Sequence, residues 1–272
     1  MVKDCPDNLD SAVQSTTRSV WTPGELTPGQ DQVATECPVA LVYNGISHVV
    51  MMATPEELED FALGFSLSEG IVEGPQQFLD VEQRSVDKGV ELAITITGEA
   101  FAQLKYKRRN LSGRTGCGLC GAESIQQAIP DLGPVTSDTK IAHESLQLAI
   151  SHLDENQQLQ QQTGAVHAAA WSDAEGQLRL VREDVGRHNA LDKLLGAMAR
   201  QKLDVQGGFL LVTSRASYEM VVKTVRANIA VLAAVSAPTA LAVDLAQRSQ
   251  VGLACFSRPE RHVIYAGQHR FK

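Results

Sequence analysis

Apolar and polar positions alternate with a period of two in several short stretches of this chain, and each stretch ends at a turn signal. Residues 38–43 and 46–53 read as one strand pair, joined by Asn44-Gly45. That dipeptide suits a two-residue hairpin because both positions accept positive φ. Residues 81–86 and 90–97 read as a second pair around Asp87-Lys88-Gly89. Between the pairs, Thr54-Pro55-Glu56-Glu57 predicts a helix start, with Thr54 as the cap and Glu57 at the capping-box position. The helix should run to Glu69 and end at Gly70.

Further along, residues 144–162 predict one long Gln-rich helix, and residues 165–171 and 178–182 a hairpin. Helix then alternates with strand: helices over 188–201, 218–228 and 239–247, strands over 208–213, 231–235, 251–256 and 262–265. Such alternation predicts an α/β layered domain with mostly parallel pairing at its centre, preceded by a smaller α+β piece. Residues 1–30, rich in Ser, Thr, Asp, Gln, Pro and Gly, predict a flexible tail with little regular structure. The expected division is a tail over 1–30, a small α+β domain over 31–132 that ends in a cysteine loop, and an α/β domain over 133–272.

Composition narrows the function. Hydrophobic residues are 43% and charged residues 21% of the 272 positions, as in ordinary soluble proteins. No apolar run approaches the ~18 residues that span a bilayer, and the first residues lack the basic and apolar stretches of a signal peptide. A cytoplasmic protein is expected. The net charge of −8 argues against nucleic-acid binding and against a membrane-surface role. Five cysteines, an odd and sparse set, argue against a disulfide scaffold. Cys37 and Cys255, flanked by apolar residues, are expected to be buried small hydrophobes.

The candidate chemistry begins with Gly116-Cys117-Gly118-Leu119-Cys120-Gly121. Residues 105–121 are too polar and glycine-rich for a strand or helix and are expected to form a mobile surface loop. Lys105, Lys107, Arg108, Arg109 and Arg114 surround the cysteines with positive charge and no acid. Cations lower a thiol's pKa and make the reactive thiolate. Three readings follow: a thiol–disulfide pair, half of a zinc site, or a persulfide carrier. The glycine spacing also satisfies the dinucleotide fingerprint letter by letter, but the basic stretch before it is no strand, which excludes that reading.

A second feature is a set of polar stretches at the ends of apolar segments: residues 182–189, 213–218 and 256–261. Ligands of open α/β sheets bind beyond the carboxyl ends of strands, where helix N-termini offer free N–H groups to anions. Arg182, Arg187, Arg215, Arg258 and Arg261 are placed to grip phosphates. Pairing with Glu183, Asp184 or Glu260 is the competing reading. His188 is a candidate acid/base or ligand contact, and His167 is expected to be a packed histidine.

Four segments together resemble the FdhD/NarQ family of sulfur carriers: residues 113–121, 163–170, 182–193 and 214–223. The resemblance covers about residue 35 to the end. It implies a cytidine-deaminase-like C-terminal domain and a homodimer. It also implies a sulfurtransferase role: sulfur is taken from a cysteine desulfurase as a persulfide on Cys117, with Cys120 as partner. The sulfur is then passed to the molybdenum cofactor in its bis-molybdopterin guanine dinucleotide form for formate dehydrogenase. The cofactor-binding segment of the family corresponds here to Phe256, Ser257, Arg258, Pro259, Glu260 and Arg261, joined by Arg187, His188, Ser214 and Arg215 from the anion-surface reading. No zinc is expected, because His167-Ala-Ala169 lacks the Glu, and residues 214–217 the cysteines, of a zinc deaminase. A thiol–disulfide oxidoreductase and a cofactor chaperone that transfers nothing are the rival functions.

Overall fold

The structure, a computed structural model, describes residues 11–109 and 132–272. Its first element departs from the sequence expectation. Strands β1 (Val13–Thr22) and β2 (Glu25–Ala34) form an antiparallel hairpin where composition had suggested a tail. β1 is rich in Thr, Val and Trp, whose preference for pleated backbone outweighs its polarity. Trp21 pairs with Leu26 near the tip and is 71% exposed.

A four-stranded sheet follows, in the order β4-β3-β6-β5, from β3 (Cys37–Tyr43), β4 (Ile46–Ala53), β5 (Phe78–Val86) and β6 (Gly89–Ile96). β3 runs parallel to β6 at the centre and the outer pairings are antiparallel. The Asn44-Gly45 turn forms as expected, with φ of 45° and 80°. The Asn44 side chain both donates to Ile96 O and accepts from Ile96 N, tying the turn to β6. Helix α1 (Leu58–Ser68) covers one face and ends before Gly70, whose φ is 64°. Thr54 does not cap α1. Its hydroxyl accepts from Val185 N instead, which links this sheet to the second half of the chain. Helix α2 (Gly98–Arg109) takes in Lys105 to Arg109, which the sequence had placed in a loop. Lys and Arg are good helix formers, and buried Ala100 and Leu104 anchor one face of α2.

The second half is a six-stranded sheet in the order β12-β11-β10-β9-β7-β8. Its strands are β7 (His167–Asp173), β8 (Leu178–Asp184), β9 (Gly208–Val212), β10 (Val231–Ala234), β11 (Gly252–Arg258) and β12 (Arg261–Ala266). β9, β10 and β11 are parallel, as the alternation predicted, and β7, β8 and β12 are antiparallel to their neighbours. The helices are α3 (His143–Leu153), α4 (Gln158–Thr163), α5 (Arg187–Arg200), α6 (Tyr218–Arg226) and α7 (Ala240–Arg248). The expected single helix over 144–162 is two, α3 and α4. Glu183 breaks it by accepting from Leu159 N and Gln160 N, which gives α4 an anchored start of its own.

The two sheets meet where α1 crosses α5 at Gly64 and Gly196. A Cβ on Gly64 would lie 1.7 Å from Asp192 O, and one on Gly196 would lie 1.9 Å from Asp60 O. Around this crossing, charges are buried in pairs. Lys193 Nζ lies 2.8 Å from Asp184 Oδ2, both side chains fully buried, and also donates to Thr54 O. The same carboxylate accepts from Thr54 N, Gly186 N and Asn189 Nδ2, so its lone pairs are satisfied. Lys223 donates to both oxygens of Asp192, to Ser68 and to Glu69. Burial alone would push Lys223 towards neutrality, but Asp192 and Glu69 reverse this and hold it protonated.

Gly196→Ala forces backbone apart at the crossing and should destabilise the fold by about 1–3 kcal/mol, the usual cost of overpacking. A lower urea midpoint at unchanged m checks it. Lys193→Met strands the Asp184 carboxylate and should cost about 3–5 kcal/mol. The double variant Lys193→Met, Asp184→Leu should recover much of that loss in the same measurement.

Candidate functional site

Parallel pairing of β9, β10 and β11 places the ends of these strands side by side, and the loops that leave them share a backbone framework. Ala216 N donates to Ala237 O, Thr239 N to Ala216 O, and Phe256 N to Ser236 O. β7 runs against β9, so its first residue, His167, reaches the same edge. The Thr213 hydroxyl accepts from Ala168 N there. β8 ends beside His167, and α5 starts a few residues later. The three polar stretches at residues 182–189, 213–218 and 256–261 therefore lead onto one edge of the sheet.

Arg187 opens α5 with its Nε buried and unpartnered among the described residues. His188 Nε2 lies 2.8 Å from Oε2 of Glu219, in the first turn of α6. The approach does not have hydrogen-bond geometry, and Nε2 is buried with no hydrogen-bond partner among the described residues. The proximity of His188 holds the Glu219 carboxyl below the usual range, with the charges of Arg187 and Lys223 adding to it against partial burial. His167 is pulled below the ordinary imidazole value, first by burial and then by the charges of Arg187 and His188. Ser214 is buried and donates to Arg215 O, and Arg215 is exposed. The Ser217 and Ser257 hydroxyls are buried without a partner among the described residues.

The β11–β12 connection is two residues long, because Arg258 pairs with Arg261 across it. Pro259 fixes φ at the first of the two turn positions. Glu260 takes φ of 64°, the positive value required at the second position of a type II turn. Phe256, also at positive φ (50°), is 41% exposed, with its ring 6.4 Å from that of Tyr265. Positive φ in a bulky residue costs energy and clusters at functional sites. Like charges directly opposite across a strand pair repel. Arg258 and Arg261 have that arrangement, and among the described residues no carboxylate forms an ion pair with either. Arg258 instead donates to Val235 O.

Arg182 does not belong to this group. Its guanidinium pairs with Asp60 and Glu57 at the contact between the two sheets. Two of the acids offered as partners for the other arginines are engaged elsewhere, Glu183 at the start of α4 and Asp184 with Lys193. Sequence reasoning missed Glu219, Asp192, Lys193 and Lys223. All lie inside the quoted segments 182–193 and 214–223, but their burial and pairing are set by how the helices pack. Cys117 and Cys120 lie outside the described residues. Cys37 and Cys255 are buried as expected, and burial pushes the Cys255 thiol up to about 12. Among the described residues no group of three His, Cys, Asp or Glu is arranged to hold a metal ion, and no helix is long and apolar enough to cross a membrane.

The cation on Arg187 disfavours a second positive charge on His167. Replacing Arg187 by Gln should therefore raise the midpoint at which His167 titrates, read from the ring-carbon shifts of labelled histidine by NMR. An unmoved midpoint would show that the two groups are not coupled.

Comparison with known proteins agrees with this architecture. A protein from Cupriavidus necator named sulfur carrier protein FdhD is 56% identical over 254 residues, covering 93% of this chain and 88% of the relative. A protein of the same name from Xanthomonas euvesicatoria is 52% identical over 241 residues, covering 89% and 86%. The fold matches the crystal structure of a protein from Desulfotalea psychrophila described as a putative formate dehydrogenase accessory protein. The TM-score is 0.76 at 23% identity, covering 96% of this chain and all of that one. The FdhD/NarQ family model matches residues 34–272. On that match, and on relatives similar over nearly their whole length, the chain belongs to the FdhD/NarQ family.

Proposed function

We propose that this chain is a sulfur carrier for formate dehydrogenase. It takes sulfur from a cysteine desulfurase as a persulfide on Cys117 and transfers it to Mo-bis-molybdopterin guanine dinucleotide, which binds as a substrate. The observation that carries the reading is the sheet edge itself. Arg187, Arg215, Arg258 and Arg261 have no ion-pair partner among the described residues, in a chain of net charge −8. Such a set suits a ligand bearing several phosphates, because guanidinium forks match phosphate oxygens. The exposed ring of Phe256 offers a face on which a guanine base stacks. Ser214, Ser257, Pro259, Glu260 and His188 complete the binding edge. The names of the relatives support the sulfur-carrier reading.

In the transfer, the terminal sulfur of the Cys117 persulfide becomes a sulfide ligand of molybdenum, and its bond to the Cys117 sulfur breaks. The Cys120 thiol supplies the two electrons by closing a Cys117–Cys120 disulfide. The oxygen ligand that sulfide replaces takes up both protons, one from the persulfide and one from Cys120, and leaves as water. An external dithiol then reduces the disulfide and resets the carrier.

For the second half we further propose the cytidine-deaminase-like layout without its metal. A hairpin (β7, β8) followed by three parallel strands (β9, β10, β11) with helices between them supports it. We also propose that the working form is a homodimer in the cytoplasm.

Intact-mass measurement after incubation with a cysteine desulfurase and cysteine tests the reading. The full chain should gain one sulfur, lose it on reduction, and fail to gain it as Cys117→Ala. Loss of two hydrogens with no sulfur would instead establish a thiol–disulfide oxidoreductase. No change, with guanosine diphosphate still bound, would establish a cofactor chaperone that transfers nothing.

A further inference from the structure

The β1–β2 hairpin has no part in the sulfur-transfer reading, and most of its residues are exposed. Its two strands form a sheet of their own. A two-stranded sheet is marginal in water without a third strand or a packed face. The base of the hairpin is packed, where Ala12, Val13 and Ala34 meet Leu159 of α4 and Val166. At the tip, Trp21 and Leu26 lie opposite each other, 71% and 64% exposed.

The two edges of this hairpin differ. In an antiparallel pair, successive residues point their N–H and C=O alternately at the partner strand and away from it. Val13 points away, because its N–H and its carbonyl both bind the Ser11 hydroxyl. Ser15, Thr17, Ser19 and Trp21 share that parity. Their backbone groups therefore face outward, along an edge that pairs with no other strand among the described residues. On β2 the outward residues are those opposite them, Gln32, Gln30, Pro28 and Leu26. Pro28 has no N–H and interrupts that edge. Exposed edges are normally blunted by proline, charge or a bulge. β2 has Pro28 together with Glu25 and Asp31, whereas β1 carries one charge, Arg18, and no proline, glycine or bulge.

We infer that β1 is an interface strand whose partner is β1 of a second copy, the two pairing antiparallel about Thr17 to make one four-stranded sheet across a two-fold axis. A strand that meets its own copy in this way forms an isologous contact, the kind that closes a dimer. The side chains select the register. A centre at Arg18 sets Arg18 against Arg18, and like charges directly opposite repel. A centre at Thr16 sets Ser19 against Val13, whose backbone groups Ser11 already holds. A centre at Thr17 sets Ser15 against Ser19 and Arg18 against Thr16. Three outward pairs then exchange two backbone bonds each, about six in all. The same register brings Trp21 of each arm opposite Val13 of the other, beside the apolar cluster of Ala12, Leu159 and Val166. A second copy thus fits both ends of the edge, since it supplies the exposed ring at the tip and the apolar base that covers it. The contact carries little charge, which suits the association of two chains of net charge −8. The inference rests on the homodimer proposed above and adds its interface.

Sedimentation velocity of the full chain over a range of concentrations tests it. The parent should sediment as a dimer. Thr17→Pro removes the central outward N–H and should weaken the dimer by about tenfold or more. Thr17→Arg sets two cations opposite each other and should weaken it likewise without constraining the backbone. Thr17→Val keeps the backbone donor and the branched side chain and should leave the dimer at parent strength. Copies carrying Thr16→Cys, mixed with copies carrying Arg18→Cys, should form a disulfide between chains on mild oxidation, located by peptide mass mapping. Copies carrying Thr16→Cys alone should not form it at that position. Urea midpoints near the parent show that the variants are folded. Should Thr17→Pro not fold, Thr17→Arg and the cross-link decide the matter. A parent dimer that both Thr17 variants leave intact, with no cross-link in the mixture, overturns the interface and leaves the homodimer standing. A parent chain that is monomeric at every concentration sinks the homodimer and the interface together.

Discussion

Everything at the sheet edge depends on the contact between α1 and α5, where two glycines let one backbone press against the other. Helices with side chains at their contact stay about 8–10 Å apart. Gly64 and Gly196 remove that spacing, and the Asp60 and Asp192 carbonyls fill the positions that Cβ atoms would take. The close approach explains why charges are buried here. Thr54 lies just before α1, and its N–H and carbonyl reach Asp184 and Lys193 because the two layers are drawn together. A buried ion pair is costly to desolvate and holds only when its remaining donors and acceptors are satisfied. Those of Asp184 and Lys193 are met by Thr54, Gly186, Asn189 and the Glu183 carbonyl.

This knot also positions the sheet edge. Asp184 ends β8 and accepts from Gly186 N, so the turn into α5 is fixed immediately before Arg187 and His188. Lys223 ties α6 to Asp192 on α5, which sets the separation of the two helices and so the reach between His188 and Glu219. The segments 182–193 and 214–223 thus combine two duties. Their inward residues weld the halves together, and their first residues face the edge. Gly64 and Glu69, on the other side, take part in the same contact.

Charge is distributed unevenly on this molecule. In this acidic chain Arg187, Arg215, Arg258 and Arg261, without ion-pair partners among the described residues, lie where three strand ends meet, and Arg258 and Arg261 face each other across a two-residue turn. Their like charges repel, and among the described residues no carboxylate forms an ion pair with either. The positive-φ backbone at Phe256 and Glu260 adds to the tension at this tip.

Local interactions made much of this legible in the sequence. The Asn44-Gly45 hairpin, the alternation of strand and helix after residue 188, the Gly70 stop and the burial of Cys37 and Cys255 follow from turn chemistry and periodicity, which act over a few residues. The gathering of Arg187, Arg215, Arg258 and Arg261 at one edge was foreseeable because strand ends of a parallel sheet lie together. What failed depended on partners distant in the chain. Thr54 read as a helix cap but is claimed by Val185, 131 residues away. Arg182 read as a phosphate grip but is held by Asp60, 122 residues away. The predicted helix over 144–162 is divided by Glu183, and the polar first strands pair with each other rather than staying loose. Glu219 gave no signal at all, since its approach to His188 exists only once α5 and α6 are packed. Periodicity and turn residues settle which elements form, while the identity of each charge's partner is decided by the tertiary contact that brings two helices within a bond's length.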